Sequence, residues 1–120
     1  MSQQSDYVVL FPADDEVAWA AGSEADHQAT FDVDAAFARA LAERGGAITG
    51  GAGLADSRLG RTLTRGADGA AVVTEGPYAE SVEQLSGFFL VRCDDHDALL
   101  DAARVLLEAH PVVEVRPVED

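Results

Sequence analysis

Apolar positions along the chain change period several times, and each change marks an element. Tyr7-Val8-Val9-Leu10-Phe11 is a nearly continuous apolar run that suits a central strand, and Pro12 ends it. Residues 13–22 read as an acidic connection holding Val17 and Trp19. A helix is predicted from residue 23 or 24 to 44, with Ser23 as N-cap and Glu24 and Asp26 in the first turn. His27, Phe31, Ala35, Ala38 and Ala42 recur one turn apart on or near a common stripe, and Phe37 and Leu41 form a neighbouring inward pair. Gly45-Gly46 stops the helix.

Residues 47–53 read as a glycine-rich strand suited to close backbone approach or a bulge. Residues 61–65 and 70–74 read as a hairpin turning at Gly66-Ala67-Asp68-Gly69. Residues 87–93 form a strongly buried strand. Asp94 or Asp95 then caps a helix running to about 109, with Leu99, Ala102, Ala103 and Leu106 as its apolar stripe and Pro111 beyond its end. A last strand alternates over 112–118. This order is β-α-β-(hairpin)-β-α-β, a split βαβ arrangement of α+β class with two helices on one face of an antiparallel sheet. Val8, Leu10, Phe88, Leu90 and Val113 are too apolar for water, so they either face the helices or are covered by a second copy. A homodimer is the economical solution.

A chain of 120 residues predicts one domain over 1–120, with residues 1–5 frayed. Charge narrows the partners. Twenty-two acidic residues face eight basic ones, all arginine, for a net charge of −14. Such a chain repels nucleic acid and anionic membrane. Coding bias and adaptation to high salt account equally well for the absence of lysine. Cys93 is alone, so it forms no intrachain disulfide and no cysteine metal site. Without a signal-like start or a run of about 20 apolar residues, the expected location is the cytoplasm.

The stretch TEGPYAESVEQLSGFFLV, residues 74–91, joins a proline-fixed acidic turn to an aromatic strand. It resembles the signature of the YCII-related proteins of the DGPF type, Asp-Gly-Pro-Phe followed by Ala-Glu-Thr-Lys-Glu-Gln-Leu-Gly-Gly. Similar matches fall at Ala18-Trp19, at Cys93-Asp94-Asp95 and over residues 113–118. The resemblance implies ferredoxin-like βαββαβ protomers with an inserted hairpin, paired as a dimeric α+β barrel, with a cleft between sheet and helices. That superfamily includes lactone-processing and dehalogenating enzymes, and some YCII-related proteins are fused to sigma factors. Here Glu75 replaces the motif's Asp, Tyr78 its Phe and Val82 its Lys.

The resemblance also implies a His–carboxylate pair, and His27 lies roughly where that histidine is expected. A buried imidazole beside a carboxylate works as general acid or base; otherwise His27 is a half-exposed residue near a helix start with no task. Glu75, before a rigid Gly-Pro, is its candidate partner, or else it only anchors the turn. Trp19, Phe31 and Tyr78 are candidate pocket-lining residues. Arg58 and Arg61, with Arg65 nearby, are suited to a small carboxylate or phosphate, or to pairing with the protein's own acids. Glu80 and a capping box of Ser81 with Gln84 are structural candidates. The acidic run 94–97 fits a helix start better than a metal site, and the glycine clusters match no phosphate-binding fingerprint. Acidic neighbours make Cys93 a poor thiolate. His110 reads as a favourable charge at a helix end.

Two functions remain in view. One is a small-molecule enzyme using His27 and Glu75 for proton transfer, with no cofactor or metal. The other is a non-catalytic dimeric module that binds a ligand or a regulator of the sigma-factor type.

Overall fold

The computed structural model describes residues 5–78 and 86–119. Glu80, Val82 and the Ser81/Gln84 capping box lie outside the described residues. Strand β1 (Ser5–Leu10) is followed by helices α1 (Glu16–Ala21) and α2 (Glu24–Glu43) and strand β2 (Ala47–Gly53). Next come a 3-10 turn (Ser57–Leu59), strands β3 (Arg61–Arg65), β4 (Ala71–Glu75) and β5 (Gly87–Cys93), helix α3 (His96–Ala103), a 3-10 segment (Arg104–Glu108) and strand β6 (Glu114–Pro117).

The main sheet has the order β2-β5-β1-β6 and is antiparallel at every pairing, with Val9 opposite both Phe89 and Val115. The two central strands are the two richest in large apolar residues, so the sequence orders the sheet by hydrophobicity. Alternation sends Tyr7, Val9, Val91 and Cys93 to one face, where Phe37, Leu41, Leu99 and Leu106 of the helical layer cover them. Burying each large side chain contributes roughly 1.5–3 kcal/mol. Strands β3 and β4 form a separate two-stranded sheet.

The local chemistry follows the sequence closely at the helix ends. The Ser23 hydroxyl accepts from the Asp26 amide at 3.1 Å and the Asp26 carboxylate accepts from the Ser23 amide at 2.9 Å, a reciprocal cap on α2. Gly45, at φ 81°, ends it in the left-handed region. In β2 the register shifts between Ile48 and Gly50, and a Cβ at Gly51 would stand 2.4 Å from the Phe88 carbonyl oxygen. Only glycine permits that approach.

Three expectations need correction. Residues 13–22 are not merely a connection: Asp15 accepts from the amides of Val17 and Ala18 and starts the helix α1. The buried stripe of α2 runs through Phe37 and Leu41, whereas Phe31, Ala35 and Ala42 are exposed, because the face that packs on the sheet is the neighbouring one. The last helix tightens to 3-10 geometry after Ala103.

Candidate functional site

A cavity of about 910 Å³ opens where the loop after β1, helix α1, the first half of α2, strand β2 and the start of β5 converge. Its centre of polar chemistry is His110. The residue lies just past the last 3-10 segment, its amide donating to the Leu106 carbonyl at 2.9 Å, and this returns the chain to the sheet. The imidazole is only 6% exposed and stacks on Phe11 at 3.8 Å with 18° between planes. Nδ1 meets Asp14 Oδ2 at 2.8 Å, and Nε2 meets Asp34 Oδ1 at 3.2 Å. Asp14 Oδ2 also accepts from the Ser86 hydroxyl at 2.6 Å.

Burial disfavours the charged ring and is the largest single influence on it. Hydrogen bonds to Asp34 and Asp14, reinforced by their charges, outweigh it together and raise the His110 pKa above its usual 6.5. Carboxylate oxygens accept, so this geometry favours hydrogen on both ring nitrogens. That arrangement stores a proton in a nearly dry site.

A second group lines the same cavity. His27 stacks on Trp19 at 3.9 Å and donates from Nε2 to the Trp19 carbonyl at 2.7 Å, while Phe31 meets the indole edge-on at 5.8 Å. Gly22 lies between α1 and α2 beside this contact, where a Cβ would stand 3.3 Å from the Trp19 carbonyl oxygen and 3.4 Å from His27 Nε2. Trp19, His27 and Phe31, three of the residues singled out in the sequence, are thus gathered in one cavity wall.

The others are elsewhere. Glu75 ends β4, is exposed, and its carboxylate lies 3.8 Å from Arg61. Arg58 clasps Asp56 through Nε at 3.0 Å and Nη2 at 3.2 Å. Tyr78 is 84% exposed. None of these four lines the cavity. His110, expected as a favourable charge at a helix end, is the most buried polar residue among those described. Its partners are 96 and 76 positions away, so no local pattern reveals them. The one available signal was Asp34 itself, an acid between Phe31 and Phe37 on an inward-turning helix face, which requires a partner. Among the described residues no group is arranged to hold a metal ion.

The architecture and cavity define a small α+β protein with a histidine–carboxylate cluster between an antiparallel sheet and its helices. The chain belongs to the YCII-related domain family, whose model matches residues 6–120. It is similar to an uncharacterized protein of Rhizobium meliloti (strain 1021), with 36% identity over 114 residues spanning 92% of this chain and 90% of that protein.

Proposed function

We propose that this protein is a small-molecule enzyme of proton-transfer type, working in the sheet–helix cavity with His110 rather than a His27–Glu75 pair as its acid–base centre. The carrying observation is that His110, nearly sealed from solvent, is bonded at both nitrogens to carboxylates on the cavity wall. Asp34, the more exposed partner at 25% against 16% for Asp14, is the relay through which a proton reaches the substrate and returns. His27, Trp19 and Phe31 form the substrate-holding part of the wall. The functional unit is a single YCII-related domain whose strand order supports a ferredoxin-like protomer, and whose open sheet face supports a homodimeric barrel. The net charge of −14 argues against nucleic-acid partners, and no helix among the described residues is long and apolar enough to cross a membrane. The lone buried Cys93 suits a reducing compartment such as the cytoplasm.

A metabolite screen by thermal shift, followed by turnover assays on the hits, tests this reading. Wild-type protein should turn over a hit that His110→Gln and Asp34→Asn bind but convert at least about a hundredfold more slowly, as for loss of a general acid. Full turnover by His110→Gln would sink the proposal. One observation favours a second reading, a binding module without catalysis: both His110 nitrogens are already engaged, as in a purely structural clamp. In that case hits would bind and remain chemically unchanged.

A further inference from the structure

Proton transfer does not require the charge that the cavity wall carries. Six carboxylates line it, from Asp14, Asp15, Glu16, Asp26, Asp34 and Asp56, with no arginine among the lining residues and no lysine in the chain. His110 offsets one of these charges, and Arg58, clasping Asp56 from outside, offsets another. The others are bonded to neutral groups, which hold them in place without cancelling their charge: Asp15 and Asp26 to helix-start amides, Glu16 to the amide and hydroxyl of Ser57. Asp34 Oδ1 receives His110, and Asp34 Oδ2 accepts no hydrogen bond among the described residues.

The remaining wall is aromatic. Phe11, Trp19, Phe31 and Phe89 all contribute, and Trp19 and Phe31 are 43% and 53% exposed. Their π faces attract cations. A carboxylate or phosphate entering here would give up hydration to face like charges without a free cationic donor, since both His110 nitrogens are already bonded to Asp14 and Asp34. An ammonium would gain from both the carboxylates and the rings.

We infer that the cavity takes an organic ammonium with an apolar body, its charged group beside Asp34 and its body against Trp19 and Phe31. This assignment of ligand class rests on the reading of the cavity as a small-molecule site.

Trp19 is the only tryptophan, so its emission reports on the cavity wall directly. Three probes of similar shape but different charge are titrated against the full-length protein at neutral pH: 2-phenylethylammonium, 2-phenylethanol and phenylacetate. The expected result is binding of the ammonium at least about tenfold tighter than the alcohol, with no response to phenylacetate up to about 10 mM. Asp34→Asn should narrow the ammonium's advantage while leaving the alcohol's affinity unchanged. If that variant does not fold, salt decides: going from about 0.05 to about 0.5 M should weaken the ammonium and spare the alcohol. Equal or tighter binding of phenylacetate, or silence from all three probes, overturns the inference. The outcome is separable from that of the proton-transfer proposal. Charge preference without any His110-dependent turnover leaves this inference standing and that proposal fallen, and His110-dependent turnover of an anion does the reverse.

Discussion

His110 shows how three remote segments make one chemical group. Phe11 supplies the stacking surface, Asp14 and Asp34 supply acceptors, and Ser86 fixes Asp14. Both facing carboxylates favour the protonated ring, so the folded state holds this proton more tightly than the unfolded chain does. The sign follows. The stabilisation is complete below about pH 6.5, the value of an unfolded histidine, and is lost as pH rises through the higher folded value. Urea unfolding of the wild type should therefore give a lower free energy at about pH 9 than at about pH 6. His110→Gln, which cannot titrate, should flatten that slope. A wild-type stability that rises over this interval, or an unchanged slope in the variant, would contradict the raised pKa.

At the scale of elements, helix α2 divides into two halves with different tasks. Phe37 and Leu41 in the second half are fully buried, whereas His27 and Phe31 in the first half border the cavity. Phe37→Ala should cost about 3–5 kcal/mol by creating a core void, while Phe31→Ala, at an exposed position, should cost under about 1 kcal/mol. Ser23→Ala should cost about 1 kcal/mol through the lost cap. Chemical denaturation of the three variants checks the ranking, and a Phe31→Ala loss matching that of Phe37→Ala would erase the division. The same helix explains what the sequence could reveal. Ser23, Gly45 and the 3.6-residue spacing act locally, so the ends of α2 were legible. The choice of buried stripe depends on where the sheet lies beneath the helix, which spacing alone does not encode. Helix α1 was obscured because its six residues bury none of their side chains. Asp14, Asp34 and His110 could be joined only by the tertiary fold, and the signature motif drew attention to Glu75, which lies on an exposed hairpin instead.

At the scale of the whole molecule, the proposed homodimer is tested by its shape and charge. The chain is a slab of 51 × 42 × 18 Å, one layer of sheet and one of helices. Opposite the helices, Val8, Leu10, Phe88 and Leu90 share the sheet's other face by register, Leu10 across from Phe88 and Val8 across from Leu90. The hairpin of β3 and β4 adds Leu63 and Val73, 65% and 60% exposed, and a two-stranded sheet alone is marginal in water. A second copy packed on the open face of the main sheet would bury its apolar residues and pair the two sheets in the proposed barrel. Opposing this is the net charge of −14 on each chain, which repels at range and is screened by salt. Sedimentation should therefore find twice the 12.6 kDa of one chain, and the dimer should tighten as salt is raised. Leu90→Glu places a charge at the centre of the face without touching the helix-covered core, and should give a folded monomer. A Leu90→Glu protein that still sediments as a dimer would move the interface elsewhere, and a wild type that remains monomeric at high salt would leave the apolar face to a different partner.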